Sequence, residues 1–185
     1  MLNRTKYLLF VAALTVAITV VACGTSDSSS DSSGGSSSIA EIADERSGNA
    51  APAITGETFF HGDFSFDDHA GKPVLVNFWF PSCPPCGAEM PDLQAAYEEY
   101  GEQVAFIGVQ QLGLDSAASG AEFVQELGLT YPSMADVGST VQFGYEVFSF
   151  PTTVFLNKDH EIARTWTGII GEEQIAEQLD ALLAS

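Results

Sequence analysis

Val74-Leu75-Val76-Asn77-Phe78-Trp79-Phe80-Pro81-Ser82-Cys83-Pro84-Pro85-Cys86-Gly87-Ala88-Glu89-Met90-Pro91 is the stretch on which the fold turns. Its first six residues are aliphatic or aromatic apart from Asn77, the pattern of a strand covered on both faces. Two cysteines three residues apart follow at once. Residues 88–100 then read as a helix with Met90, Leu93, Ala96 and Tyr97 on one face and Gly101 at its end. A strand running into Cys-x-x-Cys and then a helix sets the first sulfur at a helix N-terminus. Unpaired N–H groups and the helix dipole favour an anion there. This lowers the thiol pKa and supplies thiolate, the attacking species in disulfide exchange. A spacing of three puts the second sulfur one turn away, within reach of a mixed disulfide. Cys83 is therefore expected to be the exposed nucleophile and Cys86 the buried resolving thiol. Pro84 and Pro85 suit a first helical turn, where a missing N–H costs little, and they withhold two donors from the Cys83 sulfur.

Outward from this segment the chain alternates strands and helices. On the N-terminal side, Phe59, Phe64 and Phe66 among polar residues suggest a hairpin turning near Gly62-Asp63. On the C-terminal side, Val104–Val109 reads as a second buried strand. Ser116 or Ser119 can cap a helix carrying Phe123, Val124 and Leu127 and ended by Gly128. Tyr131–Met134 reads as a short extended piece and Val137–Tyr145 as a short helix. Thr152–Leu156 and Glu161–Thr167 form a pair of strands about the turn 157–160, and Glu172–Leu183 a closing helix with Ile175, Leu179 and Leu182 inward. The fold class is α/β, with a mixed central sheet flanked by helices and an N-terminal β-hairpin extension.

The beginning of the 185-residue chain has a different character. Arg4 and Lys6 precede an apolar run from Tyr7 to Val21, a secretory leader short for a committed membrane span. The run ends in Val20-Val21-Ala22-Cys23, which resembles a bacterial lipobox, so Cys23 is the expected lipidation site. An uncleaved anchor helix is the competing reading. Gly24 to Ser38 contains only Gly, Thr, Ser and Asp, too little apolar surface to offset the entropy of ordering, and reads as a flexible tether. The expected organisation is a signal peptide at 1–22, a lipidated Cys23 with its tether through 55, and one domain at 56–185.

Charge excludes some partners. All 25 acidic residues follow position 22, against four bases there (Arg46, Lys72, Lys158 and Arg164), leaving −21 beyond the leader. Such a surface repels phosphate and anionic lipid, so nucleic acid is a poor partner, and attachment to a membrane has to be covalent or apolar. If Cys23 carries lipid, Cys83 and Cys86 are the two that remain. A loop this short adds little constraint to an unfolded chain, so exchange explains the pair better than stapling. A zinc site would need two more ligands, and His61, His69 and His160 lack ligand spacing.

The segment Phe78 to Pro91, with Gly71-Lys72-Pro73 before it and Phe150-Pro151-Thr152-Thr153 after it, resembles the TlpA/ResA-like family of the thioredoxin superfamily. The resemblance spans about residues 56–184. It implies a thioredoxin-like fold and an exported, membrane-anchored thiol–disulfide oxidoreductase without a cofactor. Its partners would be protein thiols and disulfides of the cell envelope, with a membrane redox donor such as a CcdA/DsbD-like protein. Localisation would be extracytoplasmic, on the bacterial cell membrane as a lipoprotein, and the chain a monomer. Cys83 and Cys86 match the catalytic pair, and Pro151 matches the cis-proline that faces it. Phe150, Pro84 and Pro85 join Pro151 as expected substrate-facing residues. Glu89, three residues after Cys86, matches a partly buried glutamate that tunes the thiols, where a carboxylate could accept a proton from Cys86. Asn77 stands where thioredoxins proper have a buried Asp. Many relatives carry Trp directly before the first cysteine, and here it is Ser82.

A reductase for cytochrome c maturation or thiol repair and a disulfide-forming oxidase share this site, and family usage favours the reductase. A peroxidase would have no cysteine beyond the pair. A copper metallochaperone using Cys83, Cys86 and His160 is the alternative of another class. From the prolines alone, Pro84→Gly should restore a donor and lower the Cys83 pKa relative to wild type; equal titrations would refute this.

Overall fold

The computed structural model describes residues 50–185. The leader, Cys23 and most of the tether lie outside the described residues. Strands β1 (Thr55–Glu57) and β2 (Asp63–Ser65) form an antiparallel hairpin, followed by a 3-10 turn over Phe66–His69. Then come β3 (Val74–Trp79), helix α1 (Pro84–Tyr100), β4 (Ala105–Gln111), α2 (Ala117–Glu126), β5 (Ser133–Asp136), α3 (Thr140–Gly144), β6 (Thr152–Leu156), β7 (Ile162–Thr167) and α4 (Glu172–Leu183). Five strands make one sheet in the order β5-β4-β3-β6-β7. β3 and β5 run parallel to β4, whereas β6 is antiparallel to both β3 and β7, so the sheet is mixed.

β3 is central, and all six of its residues are buried, which is what its unbroken apolar pattern requires. Alternation along it divides the interior in two. Leu75 and Trp79 face a core with Met90, Leu93 and Ala96 of α1 and Ile175, Leu179 and Leu182 of α4. Val74, Val76 and Phe78 face a second core with Ile54, Phe64, Phe66 and Tyr145. Both helices therefore present to the sheet the faces read from their spacing.

Two boundaries differ from the sequence reading. The tether ends earlier than residue 55. Ile54 is fully buried, Ala51 donates its N–H to the carbonyl of His160, and the Tyr145 hydroxyl donates to the carbonyl of Pro52. Those five or six residues carry no strand or helix pattern, so only tertiary contact assigns them to the domain. The helix, whose apolar pattern reads only from 88 to 100, begins at Pro84 with Cys83 as its cap, as the Cys-x-x-Cys spacing requires. The helix read as 137–145 is interrupted: Gly138 (φ 79°) and Ser139 (φ 57°) adopt left-handed backbone, leaving a 3-10 turn and then α3. Phe59 and Phe66 lie just outside the hairpin strands, and Phe64 lies within β2.

Truncating Ile54 to alanine should lower stability by about 2–5 kcal/mol, the cost of a core cavity, in urea denaturation of the oxidised domain. A change no larger than that of a surface substitution would return residues 50–55 to the tether.

Candidate active site

Cys83 is the N-cap of α1, in extended conformation (φ −100°, ψ 99°). Its Sγ accepts the N–H of Cys86 at 3.2 Å. An N-cap side chain ordinarily meets the N–H of the second or third helical residue. Proline fills the first two positions here, so the donor is the third. The two sulfurs are joined as a disulfide, with Cα atoms 5.3 Å apart. Cys83 retains 5% of its surface and Cys86 none, so the outer–inner order read from the sequence holds but Cys83 is far less exposed than expected. Its sulfur is turned inward to Cys86 and packs against the α1 core, while Pro84 and Pro85 stand exposed beside it.

Glu89 lies one turn further along the same helix and is fully buried. Its Oε1 accepts from Asn77 Nδ2 on β3 at 2.7 Å, and its Oε2 accepts the N–H of Ile170 at 3.1 Å. Asn77 Nδ2 also donates to Thr153 Oγ1 on β6. Burial pushes the Glu89 carboxyl up to about 7, against the opposing pull of these two hydrogen bonds, and the nearby Asp92 charge adds to the rise. A carboxyl of that acidity on the same helical face as Cys86 can exchange a proton near neutral pH.

The peptide bond between Phe150 and Pro151 is cis. Thr152 pairs with Phe78 near the end of β3, which brings Pro151 to the pole of the sheet where Cys83 sits. The Phe150 ring meets Phe80 edge-on, with centroids 5.3 Å apart. Leu114, Phe148 and Ile169 are exposed at the same pole. Each is one or two residues from a group tied to the redox segment: Asp115 to Ser82, Phe150 to Phe80, and Ile170 to Glu89. Three exposed apolar side chains, one from each of three separate loops, therefore share the pole of the sheet on which Cys83 lies.

The structure does not bring His160 to the cysteines. It follows β6, whose end (Leu156) pairs with the start of β3 at Val74, whereas Cys83 lies beyond the far end of β3. At about 3.3 Å per residue that is the length of the sheet. There His160 Nε2 bonds the carbonyls of His69 and Lys72, and its ring packs on Phe66. Among the described residues no group of three or more His, Cys, Asp or Glu is placed to hold a metal ion. The copper site built on Cys83, Cys86 and His160 is therefore discarded. Sequence reasoning also passed over Ile170 and Asp115, since neither carries a motif and each meets its partner from a distant part of the chain.

The profile of the AhpC/TSA family matches residues 47–165. The thiol-disulfide oxidoreductase ResA of Halalkalibacterium halodurans is 34% identical over 115 residues, covering 60% of this chain and 63% of that protein. The ResA of Geobacillus kaustophilus is 30% identical over 135 residues, 73% of this chain and 77% of that protein. Among solved structures, StoA from Bacillus subtilis superimposes with a TM-score of 0.63 at 26% identity, covering 70% of this chain and 98% of its own. The same thioredoxin-like fold is therefore present.

A raised carboxyl pKa destabilises the folded state once the unfolded chain has lost its proton. Stability should thus be highest below about pH 4.5 with respect to Glu89, and fall as pH rises to about 7. Glu89→Gln should flatten this decline, moving the stability difference in the variant's favour by about 1–3 kcal/mol between pH 4.5 and pH 8. Parallel pH profiles from denaturant unfolding of the two proteins would contradict it.

Proposed function

The chain belongs to the AhpC/TSA family and to the TlpA/ResA-like branch of the thioredoxin superfamily, and from that premise we propose an extracytoplasmic thiol–disulfide oxidoreductase working as a reductase. The observation that carries the proposal is the Cys83–Cys86 disulfide at the N-terminus of α1, directly above a buried carboxyl with a pKa near 7.

In the reductive direction the dithiol form acts first. The Cys83 thiolate, favoured by the helix N-terminus, attacks one sulfur of a partner disulfide; a mixed disulfide forms and the partner's other sulfur leaves as thiolate. The Cys86 thiol gives its proton to the Glu89 carboxylate, and its sulfur attacks Cys83 Sγ. The Cys83–Cys86 bond forms, the mixed disulfide breaks, and the partner's second sulfur leaves as thiolate. Two electrons have passed to the partner, and a dithiol donor restores the pair by the same steps reversed. Burial of Cys86 supports its role as the resolving thiol, since it is shielded from any partner but Cys83. Pro151, Phe150, Pro84 and Pro85 supply the substrate-facing surface, with the backbone of Phe150 offered for strand-like pairing.

A partner protein of the cell envelope, a CcdA/DsbD-like donor, a monomeric state and lipid attachment through Cys23 complete this reading. They rest on the leader, the lipobox-like Val20-Val21-Ala22-Cys23 and the family resemblance. Among the described residues no helix is long and apolar enough to cross a membrane.

Equilibration with glutathione buffers, combined with an insulin-reduction assay, tests the direction. A reductase should show a potential more negative than about −220 mV and reduce insulin, whereas a value at about −120 mV would make the protein an oxidant. Cys83→Ser should abolish exchange and Cys86→Ser should accumulate the mixed disulfide. Trapping by Cys83→Ser in place of Cys86→Ser would reverse the two roles.

A further inference from the structure

Ser82, the residue that stands where many relatives carry Trp, is held by a single acidic side chain. Asp115, in the loop between β4 and α2, accepts both the Ser82 N–H (3.0 Å) and the Ser82 hydroxyl (2.7 Å) on its Oδ2. The contact joins two loops 33 residues apart and places a carboxylate one residue from the nucleophile. The neighbouring Ser116 caps α2, its hydroxyl accepting the N–H of Ser119, so the segment that carries Asp115 is itself anchored.

The carboxyls tied to the Cys83 segment come from two elements. Asp115, in the β4–α2 loop, is bonded to Ser82, and Glu89 lies on α1 one turn past Cys86. The three described Lys and Arg residues all lie toward the start of β3. Lys72 precedes that strand, Lys158 follows β6, and Arg164 pairs with Phe155, which pairs with Leu75. The positive end of α1 thus faces none of the described Lys and Arg side chains, and the carboxylate bonded to Ser82 opposes it.

We propose that Asp115 is a positioning residue of the redox centre: clamped to Ser82, it fixes the turn that presents Cys83 and holds back ionisation of the Cys83 thiol. The proposal rests on the exchange chemistry above and names what tunes it. Two opposite influences meet at one sulfur. The α1 N-terminus, reduced by Pro84 and Pro85 to a single N–H donor, favours the thiolate, and the Asp115 charge disfavours it. A less ionised Cys83 leaves the reduced form less favoured, which biases the pair toward giving electrons away.

Thiolate absorbance of the reduced protein, titrated against pH, tests this. Asp115→Asn keeps an acceptor for Ser82 and removes the charge. It should lower the Cys83 pKa by about half to one unit, a three- to tenfold gain in thiolate below the pKa, as expected for a charge bonded to the adjoining residue at a partly solvated site. Asp115→Ser, smaller and uncharged, should shift it the same way and serves if the amide variant folds poorly. Ser82→Ala removes one hydrogen bond and leaves the charge, and should leave the titration in place. An unchanged pKa in both Asp115 variants overturns the proposal, as does an equal shift in Ser82→Ala, which would make the effect geometric. Wild type that fails to reduce insulin while Asp115→Asn still shifts the pKa defeats the exchange reading and not the role of Asp115.

Discussion

A carboxyl buried without a cation is the constraint around which the active pole of this protein is organised. Glu89 has no surface, and an ionised carboxylate in such a place costs several kcal/mol unless charge or hydrogen bonds offset it. Among the described residues the offsets are neutral: an amide donor from Asn77 and a backbone N–H from Ile170. Those two groups come from the central strand and from the loop before α4, so α1, β3 and that loop are tied together at one carboxyl. An apolar residue in place of Glu89 would leave the Asn77 amide short of an acceptor and the Ile170 N–H without one. The carboxyl stands one helical turn from Cys86, at an acidity near 7 that a solvated glutamate lacks.

The sheet determines why that carboxyl and the sulfurs meet where they do. β3 is buried on both faces and ends at Trp79, and the chain then turns through Pro81 and Ser82 into α1. Helix N-termini beyond the carboxyl ends of parallel strands are where α/β folds place reactive groups. The antiparallel β6 brings Pro151 to the same pole, because Thr152 is opposite Phe78. The opposite pole collects the described bases and His160. The described Lys and Arg side chains are thereby kept a sheet's length from Cys83, while its neighbour Ser82 is bonded to the Asp115 carboxylate.

Local pattern carried much of the fold. Thr152–Leu156 and Glu172–Leu183 have the bounds read from periodicity, since a doubly covered strand and an amphipathic helix write their own spacing. The Cys-x-x-Cys pair, its strand and its helix were legible for the same reason, as was Glu89 on the Cys86 face. Ile54 was not, because a single buried residue in a segment without repeat has no periodic signature. Gly138 and Ser139 break what reads as one helix through left-handed backbone, which serine seldom signals.

What the sequence alone determined is the set of elements and the pairing of Cys83 with Cys86 at a helix start, because both follow from interactions within a few residues. What only the tertiary structure decided is the surroundings of those sulfurs. The N–H of Ile170 reaches Glu89 across 81 positions, Asp115 reaches Ser82 across 33, and His160 is carried a sheet's length away. Proton affinity and burial are set by whichever groups the packed chain brings within a few ångströms, and spacing along a sequence does not encode that distance.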